Sequence, residues 1–112
     1  MSFTVGDVIV FNAAASYYRT RYVFGVITSI SKAGTIKFIV SQKNCLEIEN
    51  IPNYTRELVT PDFDASPIGE GILFKKRCKD DVTENYYRYE KMDVIVERFD
   101  SSQVYKEENC FG

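Results

Sequence analysis

Three short segments concentrate the side chains that could do chemistry. Residues 74–79, FKKRCK, bring together Lys75, Lys76, Arg77 and Lys79, and on an extended backbone Lys75, Arg77 and Lys79 share one side. Such a row could track phosphates. Residues 17–22, YYRTRY, and 86–89, YYRY, interleave arginine with tyrosine. That is how single-stranded nucleic acid is held, with bases stacked on rings and guanidinium groups on the backbone. The same residue types dominate hot spots between proteins. A plainer reading packs the tyrosines on a rim with their hydroxyls in water and uses the lysines to guard an edge strand.

Covalent chemistry is poorly equipped. The sequence contains no His and no Trp, which removes the commonest general base and the commonest neutral metal ligand. A Ser or Cys nucleophile would need a carboxylate or lysine as its base. No P-loop, GxSxG or GxGxxG pattern is present. Asp62 with Asp64 and Asp80 with Asp81 could in principle hold a cation, but they lack EF-hand spacing and read as turn residues. The expectation is a chain that is not an enzyme, with no catalytic residue, metal site or cofactor. Cys45 and Cys78 fall in predicted strands as small core or boundary residues, and Cys110 falls in a polar tail.

With 112 residues the chain suits one compact domain or a small domain with an extension. Hydrophobic residues make up 45% and charged residues 27%, enough apolar content to fold. Formal net charge is -2, so electrostatic recognition must come from local patches. Three cysteines without CxxC spacing point to a reducing compartment. No leader-like segment and no apolar run near 18 residues is present. The expectation is a cytoplasmic protein that does not contact membranes.

The elements that must position those residues read mainly as strands. Val8–Phe11, an unbroken apolar run, is predicted to be a strand buried on both faces. Residues 22–40 predict an antiparallel hairpin around the SKAG turn at 31–34. Leu46–Glu49 alternates apolar and acidic residues, as a half-buried strand would. Pro52 should end that strand, and a single helical turn should precede Leu58 and Val59. Residues 62–71 read as a linker or long loop, and 72–78 as a strand. Residues 86–99 fit helical spacing as well as strands; we assign strands, with a bulge at Glu90–Asp93. The chain from Asp100 reads as a polar, frayed tail.

Five short strands with one helical turn before the fifth resemble the SH3-like small β-barrels. The resemblance rests on FTVGDVIVF at 3–11, YVFGVITSISKAGTIKFIV at 22–40 and IPNYTREL at 51–58. It implies a five-stranded barrel over 1–61, followed by the linker and by a β-rich C-terminal extension over 72–112. Tyr54 matches a groove tyrosine. The tryptophan of the proline-peptide groove is missing, so this is not a peptide-binding SH3 domain proper.

Together these readings predict a non-catalytic binding module for a protein partner, contacted through Tyr17, Tyr18, Arg19, Arg21, Tyr22 and Tyr54 at the barrel mouth. A phage or mobile-element inhibitor that blocks a host enzyme would fit the same size and lack of chemistry. The alternative is binding of RNA, single-stranded DNA or a phosphorylated nucleotide through Lys75, Lys76, Arg77, Lys79, Tyr87, Arg88 and Tyr89. The proposed division also predicts that residues 1–61 keep β structure on their own.

Overall fold

The computed structural model describes residues 3–14, 19–76 and 85–110, and within them every regular element is a strand: β1 (Val8–Asn12), β2 (Tyr22–Ile30), β3 (Ile36–Val40), β4 (Gln42–Ile51), β5 (Tyr54–Asp62), β6 (Gly69–Lys75), β7 (Tyr86–Tyr89), β8 (Met92–Ile95), β9 (Glu97–Arg98) and β10 (Tyr105–Cys110). A seven-stranded sheet runs β8-β7-β6-β3-β2-β1-β9, and a second sheet runs β10-β5-β4. The larger sheet is a nearly closed barrel. Its two ends are halves of one chain segment: β8 pairs with β7, the backbone bends at Val96, and β9 pairs with β1.

Why VIVF is apolar throughout is now plain. Ile9 and Phe11 point into the barrel with Phe3, Ile27, Phe38, Leu73, Tyr87, Val94 and Val96. Val10 and Phe24 point outward and are covered by Val59 and Tyr105 of the second sheet. The strand therefore separates two cores, and both of its faces are buried. The preceding Gly6-Asp7 pair makes a tight entry. Gly6 sits at φ 94°, and the Asp7 carboxylate accepts hydrogen bonds from Thr4 N at 2.8 Å and Arg98 Nε at 3.3 Å. Those bonds, led by that from the Thr4 amide, hold the Asp7 pKa below its usual value.

The hairpin predicted over 22–40 is present as β2 and β3, with a bulge between Ile27 and Ser29. Gly25 and Gly71 flank the Phe38 ring so closely that a Cβ at either position would overlap it. Both glycines are therefore places where the barrel wall is thinned to admit an aromatic side chain.

Four expectations are corrected. No helical turn precedes β5: Pro52 and Asn53 form a two-residue hairpin turn, Asn53 at φ 65°, as a type II turn with Pro then Asn permits. Both flanking segments continue as long strands, with Ile51 opposite Tyr54. The Glu90 region is a second tight turn, with Tyr89 opposite Met92, rather than a bulge. The chain beyond Asp100 is not frayed throughout, because β10 pairs with β5 from Tyr105 to Cys110. The barrel is also not built from residues 1–61 alone. β6 to β9 complete its wall, while β4 and β5 leave it for the second sheet. Residues 63–68 form the loop between β5 and β6, its start capped by Asp62 Oδ1 accepting from Asp64 N at 3.1 Å.

Two outcomes follow. A fragment of residues 1–61 lacks five of the ten strands and should show no cooperative urea transition by circular dichroism, whereas the full chain should. Gly71→Ala forces a methyl group against the Phe38 ring and should lower stability by about 1–3 kcal/mol, read as a drop in the urea midpoint at constant m-value.

Candidate functional site

The basic and tyrosine-rich segment over 74–89 is built into the barrel. On β7, Tyr87 and Tyr89 turn inward and Arg88 turns outward, as strand alternation requires. Tyr87 is buried and lies 6.3 Å from Phe3. The Tyr89 ring packs 4.9 Å from Phe11 and 6.1 Å from Phe38. Burial raises the pKa of both phenols above the usual tyrosine range. The Tyr87 ring is buried, and the Tyr89 ring is half-buried. Lys75 lies over the Tyr87 ring at 4.6 Å. Lys76 and Arg88 converge on Asp93, at 2.7 and 3.9 Å. Arg77 and Lys79 lie outside the described residues, as do Cys78, Asp80 and Asp81.

The segment expected to contact a partner is divided by the fold. Tyr17 and Tyr18 lie outside the described residues. Arg19 and Arg21 are exposed, but their backbone is fixed: Arg19 bridges to Asn109, Thr20 N donates to Glu108 O at 2.8 Å, and Arg21 N donates to Asn12 Oδ1 at 3.1 Å. Tyr22 is half-buried, 5.3 Å from Tyr105 and 6.3 Å from Phe24, and belongs to the second core. Its phenol pKa is raised, chiefly by burial. Tyr54 does not join the two arginines at a barrel mouth. It stands at the tip of the β4–β5 hairpin, its hydroxyl accepting from Arg56 Nε at 3.0 Å. Residues 54 and 55 point to opposite faces of the sheet. Thr55 lines the groove with Arg19 and Arg21, and Tyr54 does not.

That groove lies between the Arg19–Arg21 segment and one face of the second sheet and has a volume of about 420 Å³. Arg19, Arg21 and Lys43 line it together with Glu57, Glu107 and Glu108. Its inner end is closed by the Glu107 carboxylate, which accepts from Lys43 Nζ at 2.6 Å and from Tyr22 N at 2.7 Å. With the charges of both signs balanced at close range, it is no simple anion site. The described residues contain no cluster of three or more His, Cys, Asp or Glu side chains able to hold a metal, and no helix long and apolar enough to cross a membrane.

The feature missed from the sequence is β4. Leu46–Glu49 was expected to be half-buried, yet the strand is exposed on both faces, with Leu46 at 69% and Ile48 at 58% of full exposure. Ile51 is also exposed, and so is the free thiol of Cys45, which the sequence placed at a core boundary. Leu46 is the extra residue of a bulge between Cys45 and Glu47. The signal was available in the acidic residues flanking Ile48: alternation says which residues share a face but not whether anything covers that face.

Comparison with protein-family models, curated proteins and solved structures finds no match. The fold and the exposed arm thus define the class directly: an all-β chain whose nearly closed small barrel carries a docked three-stranded sheet.

The inward tyrosines generate an alkaline prediction. Tyr22, Tyr87 and Tyr89 have folded-state pKa values raised above those of the unfolded chain, so the unfolded state loses these protons first. Their contribution to stability is complete below about pH 10 and is lost as pH rises through the folded-state values. The urea midpoint should therefore fall above about pH 10, in step with a delayed tyrosinate absorbance in the native protein. A midpoint independent of pH up to 11.5 would contradict this.

Proposed function

We propose that this chain is a non-catalytic binding module that recognises a protein partner through its three-stranded arm, with Arg19 and Arg21 at the flank of the contact. The observation that carries this reading is β4, a ten-residue strand that presents Leu46, Ile48 and Ile51 to solvent. Exposed apolar side chains gathered on one element mark an interaction surface more often than isolated ones do. Arg19 and Arg21, on a fixed backbone along the opposite edge of the same three-stranded sheet, add residue types that such surfaces use. The nearly closed small barrel is compatible with an SH3-like barrel, and in our reading it serves as the platform that holds the arm. Nucleic-acid binding through Lys75, Lys76, Arg88 and their neighbours has weaker support, since two of its cations face Asp93 and its rings pack inward.

The test is affinity purification of the tagged full chain from a lysate of its source cells at about 0.15 and 0.5 M salt, with Leu46→Asp, Ile48→Asp and Arg19→Ala/Arg21→Ala variants in parallel. A stoichiometric protein that survives high salt and is lost with either aspartate variant supports the reading; the arginine pair should weaken capture without lowering the melting temperature. These sites are exposed, so each variant should keep its stability within about 0.5 kcal/mol. Nucleic acid that elutes only at low salt, as counterion release demands, would transfer the function to the basic segment.

A further inference from the structure

β4 is an edge, and its neighbours show why that is consequential. The barrel closes its own edges through the bent segment of β8 and β9. In the second sheet the outer side of β10 is covered at Glu108 and Asn109 by the Arg19–Thr20 backbone. Among the described residues this leaves β4 as the long open edge, with its outward amides and carbonyls unclaimed by any strand.

Which groups those are follows from the turn. Ile51 and Tyr54 flank a two-residue turn and so form a hydrogen-bonded pair. Antiparallel pairs alternate, so the backbone groups of Glu47, Glu49 and Ile51 face β5, and those of Ile48 and Asn50 face outward. The side chains alternate as well. Glu47 and Glu49 share one face, opposite Leu58 and Arg56, while Ile48 lies on the other, opposite Glu57.

Resting on the proposed function, we infer that the partner docks by strand addition on β4, contributing an extended segment in which basic residues alternate with apolar ones. The main-chain ladder supplies affinity and the alternate side chains supply the choice of partner. Cations on the added strand would neighbour Glu47 and Glu49, while its apolar residues would neighbour Ile48 on the other face. A second copy of this chain fits worse in the register centred on Ile48, which sets Glu47 of each copy against Glu49 of the other, because like charges directly opposite are destabilising.

The experiment uses the ¹⁵N-labelled full chain and two capped ten-residue peptides, one alternating Lys with Val and one alternating Glu with Val, with amide hydrogen exchange as the readout. The Lys–Val peptide should slow exchange at Ile48 and Asn50 by at least tenfold, and the Glu–Val peptide should bind about tenfold more weakly. Ile48→Pro removes an outward donor without breaking the β5 ladder, as edge positions tolerate, and should abolish the protection. E47K/E49K should reverse the peptide preference, which keeps the test decisive if the proline variant misfolds. Equal protection by both peptides would overturn the charge assignment. Protection that grows with protein concentration in the absence of peptide would make the occupant a second copy and overturn this one. No protection from either peptide would overturn strand addition, while capture lost in Leu46→Asp and Ile48→Asp would still leave a partner bound through the side-chain faces.

Discussion

The fold depends on one segment, residues 92–98, pairing with two neighbours at once. Its first half is bonded to β7 and its second to β1, and Val96 at the bend is buried in the barrel. The bend is held by Val96 N donating to Asn85 O at 3.0 Å, and Phe99 N donating to Val8 O at 2.8 Å anchors the exit. Without this segment β1 and β7 would each present an unpaired edge, and Ile9, Phe11 and Phe38 would face a slot rather than a wall. Closure is thus a long-range event, made late in the chain. The barrel wall therefore draws strands from both halves of the chain.

Closure also decides where the second sheet can go. Because β1 and β2 are already sealed on their inner faces, Val10 and Phe24 have only their outer faces left, and Val59 and Tyr105 cover them. Phe24, Phe99 and Tyr105 meet with ring centroids 5.4 to 5.7 Å apart, within the range where aromatic pairs add to plain burial. This anchor lies at one end of the three-stranded sheet. Beyond Val59 the facing positions on β5 are Glu57 and Thr55, which cannot extend an apolar core, so the far half of the arm stands away from the barrel.

Much of the barrel was legible in the sequence, and the arm was not, for physical reasons. VIVF and the hairpin over 22–40 announce themselves through local pattern and a glycine turn. The Pro52-Asn53 pair is compatible with a helical turn as well as with a tight hairpin, and only the partner strand selects the second. β10 reads as polar tail because, of residues 105–109, only Tyr105 is buried; its place is fixed by backbone pairing with β5, about which side-chain pattern is silent. The candidate site divides in the same way. Arg19 and Arg21 are exposed, as a contact role needs. The Tyr-Arg-Tyr alternation at 87–89 has two indistinguishable origins, a stacking surface and a barrel wall with rings inside, and the second prevails once Phe3, Phe11 and Phe38 are seen to need neighbours.

The bulge at Leu46 then divides β4 into two parts with different constraints. On the barrel side, Gln42 Nε2 donates to Ser66 O at 2.7 Å and Lys43 is tied to Glu107 and to Tyr22 O, so that part is committed to holding the sheet on the barrel. On the far side, Glu47 to Ile51 are held by the β5 ladder, by long contacts in which Thr55 Oγ1 donates to Asn50 Oδ1 and Cys45 Sγ to Glu47 O, each at 3.5 Å, and by the Glu49–Arg56 ion pair at 3.5 Å. An exposed pair of this kind adds little to stability. Edge strands of natural proteins are usually blunted by bulges, charges or cover. Here the edge carries a bulge and two glutamates of that kind, while Leu46 and Ile48 stay uncovered, and strand addition as proposed would use the part of the edge beyond the bulge.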